Sequence, residues 1–163
     1  MTTTTPEALA WSTDNCPVVE AARLIGDRST LIVLRELLLG VRRFSDIQDH
    51  AGLPKQVLSD RLALLVDHGL VRKVPYREEG QRERYEYRLT DAGLELYPAI
   101  LALADWGRRH LLDSPDDSPV EFVHRDCGGE VVLQMACVDH DVVLAPREVV
   151  SRPGPGARRR ARL

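Results

Sequence analysis

The sequence has no apolar run approaching the roughly 18 residues that a membrane span requires. Its first ten residues, Met1 to Ala10, lack both the basic start and the apolar middle of a secretory leader. No membrane partner is expected, and the expected location is cytoplasmic. Cysteine is scarce, with Cys16, Cys127 and Cys137 as the three in the chain. In a reducing compartment such thiols do not form structural disulfides, which turns attention to metal binding or redox chemistry. Neither sign of charge dominates: 22 Lys and Arg stand against 25 Asp and Glu, a formal charge of -3. That balance excludes a protein that coats nucleic acid by bulk electrostatics, so any nucleic-acid contact must come from a local basic surface. Also missing are a Gly-rich phosphate loop, a Ser/His/Asp arrangement and a paired-carboxylate motif, and no enzyme is expected.

What is present fits one well-packed domain with a short appendage, since 163 residues are too few for two full-sized domains. An apolar share of 44% excludes disorder of the whole chain. Residues 1–13 are Thr-rich and unpatterned, hence read as a flexible arm. Cys16-Pro17 opens a helix, because the fixed φ of proline suits the first helical position, and Gly26 is expected to close it in a left-handed conformation. A second helix follows, capped by Asp27, with Leu31, Ile32, Leu34, Leu37 and Leu38 as its apolar face and Gly40 as its end.

After the turn Val41-Arg42-Arg43, helical spacing of Phe44, Ile47 and Ala51 predicts a two-turn helix over 44–51, stopped by Gly52. Another helix is predicted from Pro54 to about His68, with Val57, Leu58, Leu62, Leu65 and Val66 turned inward. Two short helices joined by a Gly-containing turn of about three residues form a helix-turn-helix signature, whose second member is expected in the major groove of DNA. Strand-like alternation then appears over 70–76 and 84–89, separated by a polar tip at 77–83, which predicts a β-hairpin wing. Thr90 is expected to cap a helix of about 20 residues reaching Leu112, bent at Pro98. Its apolar residues form two stripes: Leu94, Tyr97, Leu101 and Ala104, and Leu96, Ile100, Leu103 and Leu111. One stripe covers its own domain. The other needs a second copy of the chain, which predicts a homodimer.

The fold class is thus mainly α with a small β-hairpin: a winged helix-turn-helix domain over 14–112, then a short β-rich segment over 120–150, and a disordered basic tail over 151–163 that carries Arg158, Arg159, Arg160 and Arg162. Within the β-rich segment, His124-x2-Cys127-x9-Cys137-x2-His140 offers two pairs of soft ligands of the kind that close a tetrahedral zinc site. Zinc is the one cofactor the sequence suggests. The other reading of the same residues is a plain β-hairpin with its thiols free or joined on oxidation.

A set of motifs carries a family resemblance. Cys16-Pro17, Leu34-Arg35-Glu36-Leu37 with Gly40, Arg43-Phe44 with Ile47, Leu58-Ser59-Asp60-Arg61-Leu62 with Leu65, Asp67-His68-Gly69-Leu70-Val71-Arg72, Tyr85-Glu86-Tyr87 with Leu89-Thr90 and Gly93, and Trp106-Gly107 fall in order over 14–112. In this the chain resembles the HxlR-type winged helix-turn-helix transcriptional regulators, relatives of the MarR group. The resemblance implies a dimeric repressor or activator that binds DNA. Two positions depart from it: Ser29 stands where the family usually has Trp, and Pro54 where it usually has Ser. The second change keeps a residue suited to a helix start.

Under this reading Lys55, Gln56 and Ser59 face the base edges, glutamine suiting adenine and lysine suiting guanine or phosphate. Arg42, Arg43, Arg77, Arg82 and Arg84 are placed for phosphates or the minor groove, although Glu78, Glu79, Glu83 and Glu86 lie among them and lower the local field. A dimer of such units predicts an inverted-repeat operator in double-stranded DNA with half-sites about 10 bp apart or a multiple of that. Arg61 is a candidate for either an internal acid or DNA. Cys16, at a helix start where amide groups favour a thiolate, is a redox-sensing candidate, and the resemblance implies the same role. A small-molecule effector between the long helix and the DNA-reading helices is a further expectation. The rival reading is a winged-helix module that contacts other proteins without DNA.

Overall fold

A computed structural model describes residues 10–78, 80 and 82–160. In chain order the elements are α1 (Pro17–Ile25), α2 (Arg28–Leu38), α3 (Phe44–Ala51), α4 (Lys55–Asp67), β1 (Val71–Tyr76), β2 (Arg84–Leu89), α5 (Asp91–Leu94), α6 (Tyr97–His110), β3 (Ala136–Cys137) and β4 (Val142–Val143). The chain divides into two compact units, Arg28–Leu133 and the union of Met1–Asp27 with Gln134–Leu163. The segment expected as one piece over 120–150 is therefore shared between them. Among the described residues no helix is long and apolar enough to cross a membrane.

The core of the 28–133 unit follows from helical periodicity. Val33, Leu34 and Leu37 of α2 meet Ile47 of α3, Leu58, Leu62 and Leu65 of α4, Val71 of β1, and Ile100 and Leu101 of α6, with Leu53 of the connecting turn also buried. Burial of each such side chain stabilises the unit by about 1.5–3 kcal/mol. β1 and β2 pair antiparallel, in a register that runs from Val71 opposite Leu89 to Tyr76 opposite Arg84. The hairpin is tied to the helical layer, because the Tyr87 N–H donates to the Arg42 carbonyl at 2.8 Å.

Two expectations are corrected. The helix of about 20 residues beginning at Thr90 is two helices, α5 and α6, separated at Glu95 and Leu96. In an unbroken helix Pro98 would leave the Leu94 carbonyl without its donor and crowd it with the ring. The break moves Pro98 into the first turn of α6, where its missing N–H has no role to fill. The Thr90 cap is present, its Oγ1 accepting from the Gly93 N–H at 3.2 Å. Gly26 is not left-handed: it keeps φ -74° and ψ -5°, and its N–H donates to the Ala22 carbonyl, so α1 ends on an ordinary helical hydrogen bond.

In the other unit, residues of the expected arm and of the expected disordered tail pair with each other. Ser12 N–H donates to the Arg158 carbonyl at 2.8 Å and Arg160 N–H to the Ala10 carbonyl at 2.9 Å. The Arg159 guanidinium lies 5.7 Å from the Trp11 ring centre. Residues 1–9 and 161–163, Arg162 included, lie outside the described residues, as do Glu79 and Gln81. β3 and β4 form a minimal hairpin with Cys137 opposite Val142.

Candidate nucleic-acid interface

The junction of α3 and α4 consists of Gly52, Leu53 and Pro54. Gly52 adopts φ +62°, ψ +30°, which closes α3 in the left-handed region. Leu53 is buried beneath the turn, and Pro54, extended at φ -56° and ψ 139°, starts α4 without a side-chain cap. The amide groups of the first turn of α4 are thus not taken by a capping side chain, an arrangement suited to an anionic phosphate.

One side of α4 is sunk in the core through Leu58, Leu62 and Leu65. Lys55, Gln56 and Ser59 are exposed and share one shallow depression with Phe44. Gln56 Nε2 donates to Asp60 Oδ1 at 2.7 Å, one turn further along, which orients the amide. The structure thus brings together the three residues expected to read base edges.

The arginines divide. Arg42, Arg82 and Arg84 are exposed. Arg43 is held to the wing: its Nη1 is 2.8 Å from Glu78 Oε1, and its guanidinium carbon lies 4.7 Å from the Tyr76 ring centre. A phosphate at this position would have to compete with Glu78. Arg77 is exposed but engaged within the protein, and Arg61, half-buried on α4, is likewise engaged. Arg88 Nε donates to Glu86 Oε1 at 2.5 Å. Burial pushes the Tyr87 hydroxyl above its ordinary pKa.

Sequence reasoning missed Glu36. Its side chain is 1% exposed, faces the core side of α2, and takes an ion pair from Arg35 on one oxygen and a contact of 2.5 Å from His50 Nδ1 on the other. This carboxylate fastens α2 to the end of α3 and so sets the tilt of the helix-turn-helix. The signal was there: Glu36 sits among Val33, Leu34 and Leu37, on the buried stripe, where a charge needs partners.

Cys16 is half-buried at the N-cap of α1, with no side-chain hydrogen bond to that helix. All three cysteines are free thiols. His124 Nδ1 is 3.2 Å from Cys127 Sγ, and Cys137 Sγ is 3.3 Å from His140 Nδ1. Among the described residues no group of three or more His, Cys, Asp or Glu side chains is gathered for a metal ion. Within the 28–133 unit, Leu31, Leu38, Tyr97, Ile100, Leu103 and Phe122 line much of an apolar cleft of about 870 Å³, with Arg35 and Arg108 at it.

Two helices in a left-handed turn, one of them exposed along its outer face beside a two-stranded wing, define a winged helix-turn-helix protein. The sequence matches the HxlR-like helix-turn-helix family over residues 24–115, and the chain belongs to that family of transcriptional regulators. It is 40% identical over 139 residues to the uncharacterized HTH-type transcriptional regulator Rv3095 of Mycobacterium tuberculosis (strain ATCC 25618 / H37Rv), a match that covers 85% of this chain and 86% of the relative. The crystal structure of PA1607, named as a candidate transcription factor, superposes with a TM-score of 0.72 at 38% identity, covering 85% of this chain and 96% of that one. The redox regulator HypR in its oxidized form is also similar, with a TM-score of 0.52 at 25% identity over 58% of this chain and 97% of that one.

Proposed function

We propose that this regulator is a repressor that binds an inverted repeat in double-stranded DNA as a homodimer. The observation that carries the proposal is the joint exposure of Lys55, Gln56 and Ser59 at the start of α4, while the opposite side of the helix is locked in the core. In this reading Gln56 and Lys55 read base edges, and Ser59 hydrogen-bonds at the floor of the groove. Arg42, Arg82 and Arg84 take phosphates directly, whereas Arg43 and Arg77 do so only by exchanging their internal partners. The second copy would cover the exposed apolar residues of α5 and α6, among them Leu94, Tyr97, Leu103, Trp106 and Leu111.

Regulation is proposed to enter at two places. Cys16 is the oxidant-sensing thiol, a reading supported by the likeness to a redox regulator and by the position of the thiol at a helix start. The apolar cleft takes a small effector, with Arg35 and Arg108 suited to an acidic group on it.

A gel-shift and salt titration on the DNA upstream of the gene for this chain tests the core of the proposal. Gln56→Ala is expected to weaken specific binding by about 1–3 kcal/mol, roughly 5- to 150-fold, and to relax preference at one base pair. Arg84→Ala should weaken all sequences alike and flatten the salt dependence. A protein that shows no sequence preference there, or that is strictly monomeric, would instead be a winged-helix module for protein contacts. For Cys16, release of DNA by diamide should vanish in Cys16→Ser.

A further inference from the structure

Two turns in the last third of the chain are built alike. In the first, His124 and Cys127 stand three residues apart, Gly128 follows with φ +69°, and the Gly128 N–H donates to the His124 carbonyl at 2.8 Å. In the second, Cys137 and His140 stand three apart, Asp141 follows with φ +51°, and the Asp141 N–H donates to the Cys137 carbonyl at 2.9 Å. Asp141 is the one residue other than glycine with positive φ among those described. A left-handed residue after the second ligand folds the chain back, so both ligands of a pair lie on the same side of the turn.

The side chains are already paired. The nitrogen and sulfur are 3.2 Å apart in the first turn and 3.3 Å apart in the second. Two ligands of one tetrahedral zinc, at the usual bond lengths to imidazole and thiolate, lie about 3.6 Å from each other. Each pair need open by only a few tenths of an ångström. The Gly129 N–H also points at Cys127 Sγ, at 3.4 Å, a donor that favours the thiolate, the form a metal binds.

Packing offers this segment nothing comparable. No described residue after Leu101 is buried, and Val138, inside the second turn, is 97% exposed. A short segment without a core holds its shape through a staple such as a structural metal. A disulfide would use the thiols and leave unexplained why each has an imidazole beside it.

We propose that both turns are zinc knuckles, each giving one imidazole nitrogen and one thiolate, the four donors making up a Cys2His2 ligand set. On binding, the thiol protons of Cys127 and Cys137 pass to solvent and both sulfurs ligate as thiolates. This inference is independent of how the winged helix reads DNA.

The test uses the full chain, purified without added metal. About one zinc per chain is expected, falling below a tenth in Cys127→Ser and in Cys137→Ser. Far-UV circular dichroism should be nearly unchanged in both, because the helices draw on a different set of buried residues. Cobalt in place of zinc should give the visible absorption of a tetrahedral, sulfur-ligated ion. His140→Cys should keep the metal and shift that absorption, since a third sulfur replaces a nitrogen. Folded protein that contains no zinc and gives no cobalt band would overturn the proposal. So would a cobalt spectrum that His140→Cys leaves unmoved.

Discussion

The stretches 28–101 and 102–160 obey different physics. The first buries eleven apolar side chains from four helices, a strand and a turn, together with Thr30 and the carboxylate of Glu36. The second buries none of its described residues and is shaped by backbone hydrogen bonds and side-chain pairs. A packed region registers the loss of a methyl group. A region without a core registers the loss of a ligand or a turn residue and is indifferent to most others.

Substitutions can break or sharpen this contrast. Leu58→Ala, at a site with no solvent exposure, should lower stability by about 2–5 kcal/mol, read as the shift of a urea unfolding midpoint at constant slope. A loss under about 1 kcal/mol would mean that the first region is not packed as described. Glu36→Ala should lower it by about 2–4 kcal/mol, near the lower end of what breaking a buried pair does, because His50 and Arg35 can turn to water. Its sharper signature is weaker DNA binding, since the tilt between α2 and α3 is released. Gly52→Ala forces an L-residue into the left-handed region, with an expected loss of about 1–2 kcal/mol.

A pH scan gives a smaller effect. Burial raises the pKa of Tyr87 above 10.0, so the unfolded chain loses this proton first as pH rises. The associated stability is complete below the unfolded value and disappears as pH passes through the folded one. Tyr87→Phe should flatten that alkaline decline in thermal melts. The smallest effect belongs to the second region: Val143→Ala, at a side chain 60% exposed, should change stability by under about 0.5 kcal/mol. A loss like that of Leu58→Ala would show a core where none is described.

The same contrast explains what the sequence could tell. Helix α3 falls on 44–51 and strand β2 on 84–89, as their periodicity predicts, because both bury one face and period reports burial. Lys55, Gln56 and Ser59 were legible as the other side of an amphipathic helix. The break before Pro98 was hidden, because the apolar spacing continues across Glu95 and Leu96 as if the helix did. The partner of Arg43 was hidden too. Glu78 is far along the chain and meets it only once the wing folds back. Glu36 was read as one residue of a family motif and not as a buried charge. The alternating Cys and His spacing was visible, whereas the matching left-handed residues that follow each pair needed backbone angles.

One hydrogen bond has a mechanical corollary. The inner strand of the wing hangs from the Arg42 carbonyl, directly ahead of the helix pair that enters the groove. Hairpin and reading helix therefore share a single hinge, and whatever rotates α2 swings both across the duplex like the two prongs of one fork.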